Sequence, residues 1–93
     1  MTVDQFVDKI IIITHQSSYS KPAIKELVEI GIEEMKTAGV LESVIFSSKA
    51  IGFLASFCVD MDTPNSGAIK MSDYTKKKLT QLATIKKEVV ENV

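Results

Sequence analysis

The stretch "SKAIGFLASFCVDM", residues 48–61, decides the fold that this sequence predicts. After Lys49, only Asp60 carries a charge, and apolar side chains fall on nearly every side of a helix. A helix that is apolar all round is a buried helix. We therefore expect residues 48–61 to form a central third helix. Gly52 is expected to mark close approach by another helix, because glycine in a helix interior costs about 1 kcal/mol relative to alanine.

The 93 residues of the chain predict one domain, residues 1–93, with a modest core. A chain of this size buries roughly 60–65% of its unfolded surface. The other elements can hardly cover so apolar a helix completely. We therefore expect part of the third helix to meet another subunit, together with the apolar segment "VLESVIF" before it, residues 40–46. The candidate interface residues are Val40, Leu41, Val44, Ile45, Phe46, Phe53 and Phe57.

An amphipathic second helix is expected over residues 22–38, upstream of that apolar segment. Pro22 suits a first helical turn, where a missing N–H costs little. Gly39 is expected to end the helix, since glycine takes the left-handed conformation without a Cβ penalty. The predicted buried face recurs at helical spacing and comprises Ile24, Leu27, Val28, Gly31, Ile32, Met35 and Ala38.

The first helix is expected from Val3 to about Ile13. Thr2 and Gln5 have the spacing of a capping box, in which each side chain satisfies a backbone donor at the helix start. Val3, Phe6, Val7, Ile10 and Ile11 share one face. The run of isoleucines at 10–13 has high β propensity, so a helical and an extended finish both remain open.

A polar turn, "DTPNSGA" at 62–68, is expected to follow the central helix, and Ser72 is a good N-cap for a fourth helix. The pattern therefore predicts an all-α domain of four helices with a buried third helix. The predicted apolar edge of the fourth helix comprises Tyr74, Leu79, Leu82, Ile85 and Val89.

The sequence offers little chemistry. His15, Cys58, Asp60 and Asp62 lack the spacing of a metal site, and Asp60 and Asp62 are interpreted as a solvated turn. A single cysteine cannot form an intramolecular disulfide, and Cys58 is expected to be a buried, reduced thiol. No phosphate-binding or nucleophile motif is present in the sequence. We predict no enzyme activity, no cofactor and no metal. No apolar stretch approaches the roughly 20 residues that span a membrane.

The lysines at 76–78 suit either a solvated helix face, which we favour, or a contact with nucleic acid. Eleven basic and twelve acidic residues give a net charge of −1, which argues against a surface built to grip phosphates. The alternative function is a small winged-helix-like DNA-binding regulator, because residues 20–44 have a capped helix, a glycine and an apolar segment. That helix carries Glu26, Glu29, Glu33 and Glu34, which would repel the phosphate backbone.

Taken together, the chain resembles the bacteriophage head–tail connector family, small helical adaptors often described as DNA-packaging proteins. The resemblance covers roughly residues 3–86 and depends on the order, lengths and spacing of the helices. Family members have a buried helix of the type "AIxxYhxxxF", where h is apolar, and an arginine near residue 11 or 12. Here Gly52, Phe53 and Leu54 replace the commoner bulky residue plus tyrosine, and isoleucine replaces the arginine. The matching segments are "IIITH" at 11–15, "AIKELVEIGIEEMKTAGVLES" at 23–43, "KAIGFLASFCVDMDTPNSG" at 49–67 and "DYTKKKLTQLATI" at 73–85.

The resemblance implies a homo-oligomeric ring at the head–tail junction of a phage virion. The ring docks below the portal protein, extends the channel through which DNA passes non-specifically, and offers a surface to a tail-side completion protein. The protein would be made in the cytoplasm of the bacterial host, and a prophage could encode it. In this family the C-terminal region docks toward the portal. The apolar positions of the last segment are therefore candidate portal contacts: Val89, Val90 and Val93. The alternative for this segment is a disordered tail that keeps the protein in solution.

Overall fold

The computed structural model describes residues 1–15, 21–61 and 71–85, which contain helices and no strand. The prediction of a small all-α domain with four principal helices is confirmed. A fifth, four-residue helix and a 3₁₀ turn at Ser48–Ala50 lie between the second and third of them. The α-helices are α1 (Val3–Thr14), α2 (Lys21–Thr37), α3 (Glu42–Ile45), α4 (Ile51–Met61) and α5 (Asp73–Ala83).

Helix α1 begins at the predicted capping box. The Gln5 N–H donates to Thr2 Oγ1 at 3.2 Å, and the Thr2 N–H donates to Gln5 Oε1 at 2.9 Å. The isoleucine run is helical, because Ile10 is fully buried in the core and this packing outweighs its β propensity. The helix closes at His15, whose φ of 58° is left-handed.

Helix α2 ends at Gly39 as predicted. The glycine has a φ of 89°, and its N–H donates to the Lys36 carbonyl at 3.1 Å. The Val40 N–H donates to the Met35 carbonyl at 3.0 Å. These two bonds satisfy carbonyls that the helix end would leave unpaired. The reversal brings Val40 into the core.

The apolar segment after Gly39 contains helix α3. The Leu41 carbonyl accepts from the N–H groups of Val44 and Ile45, each at 2.9 Å. Both of these side chains are buried. A buried segment must pair its backbone groups, and one helical turn does so locally.

Helices α1 and α2 run antiparallel beside each other. Lys21 pairs with Asp8 at 3.1 Å, and one turn later Lys25 pairs with Asp4 at 3.6 Å. All four side chains are at least half exposed, so each pair contributes about 0–1 kcal/mol. The larger contribution is packing, since both helices lie against α4.

Helix α4 is the central helix, as predicted, and it contacts α1, α2 and α5. The close helix approach is at Gly31 of α2, not at Gly52. A Cβ built on Gly31 would lie 2.8 Å from Leu54 Cδ2 and 3.3 Å from Phe57 Cδ2. Gly52 is exposed, and a Cβ there would meet only the end of the Lys78 side chain at 3.9 Å. The expectation for Gly52 was wrong because the buried side of α4 faces away from it.

Helix α5 starts at the predicted N-cap, where Ser72 Oγ accepts from the Thr75 N–H at 3.2 Å. The predicted apolar edge was wrong at its first position. Tyr74 is 61% exposed, whereas Thr75 is fully buried. Leu82 is buried and Leu79 is partly buried, as expected. The helix is therefore rotated toward Thr75, whose hydroxyl finds polar partners on α4.

Candidate interaction surfaces

Five of the candidate subunit-interface residues lie in the chain's own core. They are at most 6% exposed, and they are Val40, Val44, Ile45, Phe53 and Phe57. The other two, Leu41 and Phe46, are partly exposed and pack against the core from outside. These two retain surface that a neighbouring molecule could cover. In the apolar segment at residues 40–46, a contact with another subunit remains a prediction for Leu41 and Phe46.

Three further candidates fall outside the described residues. Val89, Val90 and Val93, the predicted portal contacts, lie beyond residue 85, where the described part of the chain ends. Their docking therefore remains a prediction from the resemblance. Asp62 and the predicted turn around Pro64 also lie outside the described ranges.

A cluster of hydroxyl and carboxylate groups joins α4 to α5. Thr75 Oγ1 donates to Asp60 Oδ2 at 2.6 Å, and the Ser72 N–H donates to the same oxygen at 2.9 Å. A carboxylate can only accept hydrogen bonds, so the Thr75 hydroxyl uses its single proton to donate to Asp60. The Ser56 hydroxyl, which is hydrogen-bonded to Thr75 Oγ1, must therefore be the donor in that second bond. The cluster fixes the register between the two helices.

Sequence reasoning treated Asp60 as part of a solvated turn and did not single out this cluster. The available signal was local: an N-cap serine three residues before a threonine at the start of α5. The local pattern could not identify the acceptor of the Thr75 hydroxyl, because Asp60 lies 15 residues from Thr75 along the chain. A threonine is buried readily only where its hydroxyl has a partner.

The environment of Asp60 shifts its pKa. Partial burial of the carboxylate raises the pKa, but the hydrogen bonds from the Thr75 hydroxyl and from the N–H and hydroxyl of Ser72 outweigh it, so the net pKa lies below its ordinary value. Hydrogen bonds to the charged form favour that form. The Asp60 carboxylate therefore binds a proton less readily in the folded state than in the unfolded chain.

Because the folded pKa of Asp60 is lowered, its contribution to stability is present above the unfolded pKa and is lost as the pH falls through the folded value. We expect Asp60→Asn to lower the free energy of unfolding by about 1–2 kcal/mol at about pH 7. The difference from the wild type should shrink at about pH 3, because this pH lies below the ordinary aspartate pKa of about 3.9, so the unfolded chain is protonated there and the stabilisation by the charged form declines. Urea unfolding at both pH values measures it. An equal difference at both would contradict this assignment.

Large apolar side chains are exposed at two places. Ile12 and Ile13, at the end of α1, are 71% and 50% exposed, and Val59 of α4 and Tyr74 of α5 are similarly open. Because Asp60 pairs with Ser72 and Thr75, Val59 and Tyr74 belong to the same end of the α4–α5 pair. Single exposed apolar residues are ordinary on protein surfaces, but adjacent ones at a helix end suit protein contacts.

The described residues hold no group of three or more histidine, cysteine, aspartate or glutamate side chains that could bind a metal ion. Cys58 is buried, as expected, and His15 is exposed at the end of α1. In the same part of the chain, no helix is long and apolar enough to cross a membrane.

Comparison with known proteins adds no relative: no family model, curated protein or solved structure matches the chain.

Proposed function

We propose that the protein is a phage assembly protein, a head–tail connector whose copies form a ring below the portal and join head to tail. The observation that carries the proposal is the arrangement around Gly39. The long helix α2 ends at a left-handed glycine, a short apolar helix follows, and the chain then enters the buried helix α4. The connector resemblance depends on this order of helices and on their lengths and spacing, and it includes the last helix, which begins next to Tyr74.

The exposed apolar side chains also support a protein-binding role. An adaptor must bind a neighbour on each side, the portal and the tail-side protein, besides its own copies. Ile12 and Ile13 lie at the end of the α1–α2 pair where α2 starts, and Val59 and Tyr74 lie where α4 ends and α5 starts. A subunit with two separate apolar contact points can be held between two partners.

The DNA-binding alternative draws less support from these contacts. A winged-helix reader would present α2 to the phosphate backbone. The exposed side of α2 carries Glu26, Glu29 and Glu33, which repel phosphates. The apolar segment after Gly39 is folded into helix α3 and the core.

A binding assay separates the two functions. We expect the purified protein to co-sediment with rings of the portal protein encoded by the same phage genome. Binding should survive high salt better than a phosphate-dominated contact does, since the latter weakens steeply with salt. A salt-sensitive shift of duplex DNA at submicromolar protein, with no portal binding, would favour the regulator instead.

A further inference from the structure

The charge of the molecule is divided between its two halves. Described residues 1–15 and 21–45 carry four lysines and seven acidic residues, an excess of three negative charges. Described residues 46–61 and 71–85 carry four lysines and two aspartates, an excess of two positive charges. A net charge near zero therefore conceals one acidic and one basic region.

The acidic region is concentrated on α2. Glu26, Glu29 and Glu33 are spaced three and four residues apart, so they form one strip along the exposed side of the helix. We call these three residues the acidic strip. Lys36 pairs with Glu33 at 3.7 Å, and the other lysines of α2 pair with α1. Within the described residues, Glu26 and Glu29 have no ion-pair partner.

The basic region is concentrated on α5. Lys76 and Lys77 are exposed, unlike Thr75 and Leu82 of the same helix, and we call these two lysines the basic strip. Lys78 differs from them, because its ammonium lies 5.4 Å from the centre of the Tyr74 ring. In the part of the chain that the structure describes, no ion pair involves Lys76 or Lys77.

Within the described residues, no ion pair joins the two strips. Helix α2 lies against Phe53, Leu54 and Phe57 of α4, through Gly31. Helix α5 lies against a different side of α4, through the hydroxyl of Ser56 and the carboxylate of Asp60. Exposed glutamates and lysines without an ion-pair partner in the described residues are available to a second molecule.

We propose that the acidic strip of one copy docks on the basic strip of a second copy of this chain. The contact is head-to-tail, since it joins two different surfaces, and repetition of such a contact closes a ring when the rotation allows it. The biological setting of this contact rests on the proposed connector function.

Charge reversal tests the contact with matched pairs. Glu26→Lys with Glu29→Lys makes both strips basic, and Lys76→Glu with Lys77→Glu makes both acidic. We expect the wild type to self-associate at about 1 mM protein in about 0.01 M salt and much less in about 1 M salt, where the Debye length is about 3 Å. Each double variant should remain monomeric alone, and an equimolar mixture of the two should associate again.

Sedimentation velocity measures these states, and circular dichroism checks that each variant is folded. Lys9→Glu with Lys49→Glu carries the same change in net charge on exposed lysines outside the basic strip, so it should associate like the wild type. A monomeric wild type at low salt, or a mixture that stays monomeric, overturns the proposed contact. Binding of duplex DNA that is lost only in Lys76→Glu with Lys77→Glu, without self-association, assigns the basic strip to nucleic acid instead.

The assay contains no portal, so its failure is distinguishable from failure of the proposed function. Charge-reversed variants that still bind portal rings would leave the connector function standing and remove only this subunit contact. Self-association of the wild type without portal binding would support the subunit contact and contradict the connector function.

Discussion

Phe57→Ala is expected to lower the free energy of unfolding by about 3–5 kcal/mol, the range for removing a fully buried phenylalanine. The side chain is 0% exposed, and its ring centre lies 5.7 Å from that of Phe53. A domain of this length has a total stability of roughly 5–14 kcal/mol. The variant should therefore unfold at a temperature at least about 12 °C lower. Thermal and urea unfolding followed by circular dichroism measure both effects.

Val59→Ala is the matched control, because it also shortens an apolar side chain of α4 but at a position that is 57% exposed. Its free energy of unfolding should stay within about 0.5 kcal/mol of the wild type. Similar losses in the two variants would show that Phe57 is not in the core and that α4 is rotated from the orientation described.

Gly31→Val should destabilise the protein by about 1–3 kcal/mol through overpacking. The new Cβ would lie 2.8 Å from Leu54 Cδ2 and 3.3 Å from Phe57 Cδ2, closer than side chains tolerate. Both neighbours are fully buried, so neither has free space to move into. The strain outweighs the few tenths of a kcal/mol that valine gains over glycine in helix propensity.

Gly52→Val makes the same substitution where α4 is exposed. The nearest atoms belong to the flexible end of Lys78, 3.9 Å away. This variant should be as stable as the wild type or slightly more stable. Urea unfolding of the two variants side by side gives the comparison, and equal losses would contradict the placement of the α2–α4 contact at Gly31.

The features that the sequence predicts correctly are those that depend on residues close together in the chain. The capping box of Thr2 and Gln5, the N-cap Ser72 and the left-handed Gly39 each involve a few neighbouring residues. The apolar face of α2 follows from helical periodicity as far as Met35, whereas Ala38, predicted on the same face, is exposed beyond the end of the helix. Local rules of this kind can be applied without knowing any tertiary contact.

The features that the sequence misses depend on contacts between distant residues. Tyr74 has more apolar surface than Thr75, so a pattern places Tyr74 inside, and only the acceptor on Asp60 reverses that choice. The choice between Gly31 and Gly52 depends on where two helices cross. The join from Val40 to Phe46 is apolar enough to suit either an interface or a core, and most of it is buried within the chain.

The sequence predicts the charges of the acidic and basic strips but not their ion-pair partners. The glutamates of α2 and the lysines of α5 are visible as a wet helix face and a basic cluster. Whether these charges are available to another molecule depends on which of them are already paired within the chain. The Lys21–Asp8 and Lys25–Asp4 contacts occupy two of the lysines of α2. A sequence pattern gives the charges of a helix face but not their partners across the fold.

Electron microscopy of particles made by a phage that lacks this protein tests the proposed connector function most directly. The account predicts that DNA-filled heads and free tails accumulate unjoined, and that supplying the protein from a plasmid restores tailed particles. Phe57→Asp is the matched negative control, because an unpaired charge in the core prevents folding. Normal numbers of tailed particles in the absence of the protein would contradict the account.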